Sequence, residues 1–142
     1  MSNNTSEQLK PADATSIEPK PLRSIQQIIA DLKKPVAAKH LSQRKQGGQS
    51  LSYIAWYNAV KYLDHFAPGW SYAVVSVQTI GDNCALTVRL SIPCTEGIVS
   101  RDATGIEPRV VKGYGDCASN AESMALRRAA AKFGLGLYLY EK

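Results

Sequence analysis

Cysteine, histidine and long apolar runs are all scarce in this chain of 142 residues. Its 3 cysteines, Cys84, Cys94 and Cys117, are odd in number and lack CxxC spacing. That argues against a disulfide framework or a zinc site and predicts free thiols in a reducing cytoplasm. The 2 histidines, His40 and His65, stand far apart with no partner at metal-ligand spacing, so each reads as a packed or solvated side chain. No stretch approaches the ~18 apolar residues that span a bilayer, and no apolar segment near the start reads as a secretion signal. Walker A, HExxH and GxSxG patterns are absent. Gly113-Tyr114-Gly115 and Gly134-Leu135-Gly136 do not link a strand to a helix as a dinucleotide site requires. Asp82, Asp102 and Asp116 fall in or near predicted turns, where turn chemistry accounts for them, and no carboxylates pair for acid/base work. The expectation is a protein with no catalytic residues, no metal, no cofactor and no membrane partner.

What is present is an ordinary globular composition, 44% hydrophobic and 20% charged, with a net charge of +5. From Arg44 onward 11 basic residues face 8 acidic ones, so any preference for a polyanion must come from where the charges lie. The excess is equally compatible with an acidic substrate pocket. Residues 1–23 are polar, with Pro11, Pro19 and Pro21, and predict a disordered tail; residues 24–142 suffice for one domain with a real core.

Ser24 and Gln27 form a capping box ahead of Ile25, Ile28, Ile29 and Leu32, a short helix ended by Pro35. Residues 36–46 are basic and give no clear period. Residues 51–54 predict a short strand, and residues 55–66 a helix with Trp56, Ala59, Val60, Leu63 and Phe66 on its apolar stripe. Pro68-Gly69 breaks that helix. Residues 71–80 are rich in β-branched and aromatic residues, Gly81-Asp82-Asn83 turns the chain, and residues 84–92 alternate with Cys84, Leu86, Val88, Leu90 and Ile92 on one face. Thr95-Glu96-Gly97 leads into a third strand, residues 98–104. The fold class is α+β: an antiparallel β-meander with flanking helices, in the order β-α-β-β-β-α for its core.

The last helix carries the sharpest signal. Ser119 with Glu122 fits a capping box, and Gly134 stands where a helix stops. At about 100° per residue, Leu126, Ala129, Ala130 and Phe133 share a core-facing side, while Arg127, Arg128 and Lys132 fall on the other. Cations among alanines admit a phosphate backbone closely; the alternative is that they merely offset the helix dipole. Gln43-Arg44-Lys45-Gln46-Gly47-Gly48-Gln49 reads as a polar loop able to offer charge and backbone N–H groups to phosphates, or simply as a solvated loop. Tyr53, Trp56, Tyr57, Tyr62, Trp70, Tyr72 and Tyr114 are candidate base-stacking rings. Trp56, on its stripe, and Trp70, after the turn, are expected in the core, leaving Tyr53 and Tyr57 as the exposed candidates.

Gly47-Gly48-Gln49-Ser50-Leu51-Ser52-Tyr53-Ile54, a helix, then Pro68-Gly69-Trp70 opening a meander resembles the DNA-binding domain of the Rad52/Rad22 single-strand annealing family. Ala125-Leu126-Arg127-Arg128-Ala129 through Lys132-Phe133-Gly134 is similar to that family's signature helix, and Gly136-Leu137-Tyr138-Leu139-Tyr140 to its bacterial and phage DdrA-like members. The resemblance covers roughly residues 24–140. It implies a βαβββα unit that assembles into a homo-oligomeric ring, binds single-stranded DNA in a basic groove and anneals complementary strands in recombination and double-strand break repair. It further implies that Arg127 and Arg128 contact the DNA backbone, that Tyr53 flanks the groove, and that Arg44, with Lys45 beside it, supplies the basic residue before the glycines. Two departures stand out: few lysines precede the last helix, and Ala131 lies where the family carries a cation, with Lys132 next to it. The competing expectations are an end-protection or scaffold protein that binds without annealing, and a small metal-dependent nuclease.

Overall fold

The computed structural model describes residues 21–111 and 115–141. Of the tail expected over residues 1–23, residues 1–20 lie outside them, as do the ring of Tyr114 and Lys142, while Arg23 is tied to the domain, donating to the Phe66 carbonyl at 2.9 Å and pairing with Asp31. Helix α1, Ile25–Leu32, starts as anticipated: the Ser24 hydroxyl accepts from the Gln27 amide at 3.1 Å, and the Gln27 side chain accepts from the Ser24 amide at 3.4 Å. Ile28 and Leu32, one turn apart, are buried in the main core.

Residues 43–49, expected to be a loop, instead form a β-hairpin with the strand expected over residues 51–54. Strands β1, Leu41–Gln46, and β2, Gln49–Ile54, pair antiparallel through a two-residue turn at Gly47 and Gly48. Both glycines have positive φ, 60° and 79°, the backbone that a tight hairpin turn demands and that side chains resist. The Gln43 side chain ties the strands together, donating to the Ser52 hydroxyl at 2.8 Å and accepting from the Ser50 hydroxyl at 3.1 Å.

Helix α2, Trp56–Phe66, buries Ala59 and Leu63 but leaves Trp56, expected on its apolar stripe, 49% exposed. The helix begins at that residue, so its ring hangs off the end rather than lying along the packed face. The meander follows as β3, Ser71–Ile80, β4, Asn83–Cys94, and β5, Gly97–Pro108, in sheet order β3-β4-β5. The alternation read from residues 84–92 holds: Val88, Leu90 and Ile92 are wholly buried on one face. The third strand runs past its expected end, and Asp102 lies within it rather than in a turn, ion-paired to Arg89 across the ladder at 2.9 Å.

Helix α3, Cys117–Lys132, packs across β4 and β5 with Leu126, Ala129 and Ala130 inward, as expected. Its cap is Asp116, not Ser119: the Asp116 carboxylate accepts from the Ser119 amide at 2.7 Å, which places the helix start earlier than a Ser119 capping box would. Gly134 ends it at φ 110°, with its amide on the Ala131 carbonyl at 2.8 Å and the Leu135 amide on the Ala130 carbonyl at 3.1 Å, a Schellman pair. That turn throws Leu137–Tyr140, a 3-10 turn, back toward β2.

Candidate nucleic-acid interface

The hairpin strand β2, the outer side of α3 and the 3-10 turn enclose a groove of about 510 Å³. Arg44, Tyr53, Arg127, Arg128 and Tyr140 line it, and no acidic side chain of the described residues does. Two cations stand over the Tyr53 ring, with the guanidinium carbon of Arg127 5.1 Å from the ring centroid and that of Arg44 5.9 Å away. Neither arginine forms an ion pair with a carboxylate among the described residues. Arg127 donates from Nε to the Ser123 carbonyl of its own helix at 3.3 Å, which fixes the stem and leaves the fork in the groove.

Electrostatics set Arg127 apart. It is half-buried, and desolvation pulls its guanidinium below the ordinary arginine range. The like charges of Arg44 and Arg128 act in the same direction, while Tyr140 and Tyr53 oppose them. An arginine remains charged at neutral pH, so the groove concentrates positive charge that no carboxylate of the described residues neutralises within it. An anion entering there relieves that repulsion and replaces the hydration that burial removes.

The other cations named from the sequence are placed differently. Arg128 lines the groove while donating to the Thr104 carbonyl at 2.9 Å. Lys132, one turn on, reaches β5 instead, donating to the Asp102 carbonyl at 2.6 Å. Arg101 donates to the Lys132 carbonyl and lies 4.7 Å from the Phe133 ring, so this end of α3 has a cation against a terminal carbonyl. Lys45 follows Arg44 on an exposed strand, where successive side chains leave opposite faces, and it does not line the groove. Ala131 is buried, so the helix has no room for a cation at that position.

Tyr138 and Tyr140 also line the groove, although neither was among the stacking candidates read from the sequence. The Gly136-Leu137-Tyr138-Leu139-Tyr140 motif was the available signal, since a glycine after a helix end turns the chain back. Gly136 has φ 68°, and the Tyr138 hydroxyl then anchors the turn by accepting from the Val36 amide at 3.0 Å. Of the remaining rings, Tyr62 sits against His40, Trp70 donates to the Asp64 carboxylate at 2.6 Å, and Tyr72 donates to the Glu122 carboxylate at 2.8 Å. Asp116 and Asp102 are already engaged by the helix start and by Arg89, and among the described residues no three potential ligands stand together for a metal ion. No helix of the described residues is long and apolar enough to cross a membrane.

Residues 24–142 match the family described as Rad52/22 family double-strand break repair protein. The chain is 38% identical over 122 residues to DNA repair RAD52-like protein 1, mitochondrial, of Arabidopsis thaliana, covering 84% of this chain and 69% of that protein. It is 33% identical over 137 residues to DNA repair RAD52-like protein 2, chloroplastic, of the same plant, covering 93% and 68%. The chain belongs to the Rad52/22 family of double-strand break repair proteins.

Proposed function

We propose that this protein binds single-stranded DNA along the Arg44–Tyr53–Arg127 groove and anneals complementary strands, as a homo-oligomeric ring and without enzymatic chemistry of its own. The observation that carries this reading is Arg127: a partly desolvated cation, crowded by Arg44 and Arg128, with no carboxylate of the described residues beside it in the groove. A phosphodiester backbone supplies the missing negative charge, and release of its counterions drives binding. Tyr53, Tyr138 and Tyr140 flank the cations with aromatic surface, the combination that single-strand grooves use.

Strand β3 supports assembly. One of its edges is unpaired among the described residues, and Val74, Val75, Val77 and Ile80 of the strand are exposed, Val77 at 63%. A long apolar strand edge is a template for another chain, and copies joined this way would extend the groove into a continuous track. Within the family, Gly136-Leu137-Tyr138-Leu139-Tyr140 favours a bacterial or phage DdrA-like placement. The three free thiols suit a reducing compartment, the cytoplasm in this reading.

The test mixes two complementary labelled oligonucleotides. Duplex appearing faster with protein than without supports annealing. Binding with no acceleration supports end protection or scaffolding, and strand cleavage dependent on Mg²⁺ would point to a nuclease.

A further inference from the structure

The groove does not stop at Arg127. A second hollow of about 780 Å³ shares Arg44, Tyr53, Met124 and Arg127 with the first and continues past the start of α2. Its far end is lined by Trp56 and Tyr57, 49% and 52% exposed, with ring centroids 5.9 Å apart in an edge-to-face pair. Two large exposed rings side by side on a helix end cost hydration, and Trp56 also borders a further hollow, beside Tyr72. The hollow's charge differs from that of the first. Glu107 and Asp116 line it, and hydrogen bonds to the Ser119 amide and hydroxyl hold the Asp116 carboxyl below its usual range, fully ionised at neutral pH.

We infer that Trp56 and Tyr57 form a stacking site for an unpaired base of the bound strand, while the backbone stays on the arginines. The inference rests on the single-strand reading above. A polynucleotide presents phosphates on one side and flat apolar faces on the other. Phosphates are held more strongly in the groove beside Arg127 and Arg128, where no carboxylate of the described residues offsets the arginines, than in the second hollow, where Glu107 and Asp116 offset Arg44 and Arg127. A base carries no charge, so the carboxylates do not exclude it, and the exposed rings offer it a face. Arg44 and Arg127, common to both hollows, hold the strand where it passes from one to the other. The other conceivable occupant of these rings is a second copy of the chain.

The test compares a thymidine oligonucleotide with one of equal length built from abasic sites, at one salt concentration. The native protein is expected to prefer the base-bearing strand by roughly five- to a hundredfold. Trp56→Leu with Tyr57→Leu, which keeps apolar bulk over the helix end, should erase most of that preference and leave the salt slope unchanged. Trp70→Phe leaves Trp56 as the only tryptophan, and its emission should be quenched by the thymidine strand and not by the abasic one; this readout needs no change at the site itself. A double variant that keeps the preference overturns the inference. So does loss of the assembled mass with the preference intact, since the rings would then lie between copies. Equal binding of both strands by the native protein, with a normal salt slope, overturns the stacking site alone; binding of neither removes the single-strand reading with it.

Discussion

The guanidinium of Arg127 and the ring of Tyr53 meet in the groove with 5.1 Å between guanidinium carbon and ring centroid, joining the last helix to a hairpin more than 70 residues earlier. With Arg44 5.9 Å from the same ring, one aromatic side chain positions both cations. Cation–π contacts of this kind contribute about 0.5–2 kcal/mol. Tyr53→Phe keeps the ring and should bind a single-stranded oligonucleotide nearly as well as the native protein. Tyr53→Leu should bind several-fold more weakly, measured by fluorescence anisotropy at fixed salt.

The cations are not interchangeable. Lys132 is committed to the Asp102 carbonyl and Lys45 stands off the groove. Lys132→Ala and Lys45→Ala should each leave the salt dependence of binding close to native. A drop in slope for either, equal to that of an arginine variant, would mean that the strand follows a different path over the surface.

Gly105 sets how closely α3 approaches the sheet. A Cβ there would stand 2.0 Å from the Ala121 carbonyl oxygen and 2.9 Å from the Ala125 amide nitrogen, both backbone atoms that cannot swing aside. Gly105→Ala should therefore cost about 1–3 kcal/mol by overpacking, read as a lowered urea midpoint. Lifting the helix also moves Arg127 relative to Tyr53, so DNA affinity should fall with stability.

Acid should loosen the fold from identifiable points. The Arg89 hydrogen bonds hold the Asp102 carboxyl below its usual range, and the Ser119 amide does the same for Asp116. A carboxyl with a depressed folded-state pKa contributes stability that is present above its unfolded value, about 3.9, and is lost as pH falls through the folded value. The urea midpoint should be flat from about pH 7 to 5 and fall below about pH 4. Asp102→Asn should have a lower midpoint at pH 7 and converge on the native protein in acid.

Much of the scaffold was legible in the sequence because local rules decided it. The alternation of Cys84 to Ile92, the Ser24 box and the Gly134 stop each depend on neighbours within a few positions. The second strand of the hairpin was legible over residues 51–54, but its partner β1 was not, because Gln43, Arg44, Lys45 and Gln46 carry no apolar alternation. Trp56 was expected inside because a helical wheel assumes neighbours along its whole length, and the helix starts at that residue. The wheel separated Arg127, Arg128 and Lys132 from the core face correctly. It could not tell which of them would meet Tyr53 and which would meet β5, since that depends on where the hairpin and the meander arrive.

The central claim is that an unpaired DNA backbone lies on the outer side of α3. The most direct test measures affinity for a single-stranded oligonucleotide across a range of salt, for the native protein and for Arg127→Ala with Arg128→Ala. The account predicts a log–log slope shallower by ~0.7 for each phosphate that the variant no longer neutralises, with the circular dichroism spectrum unchanged. A folded double variant with the native slope and affinity would contradict it.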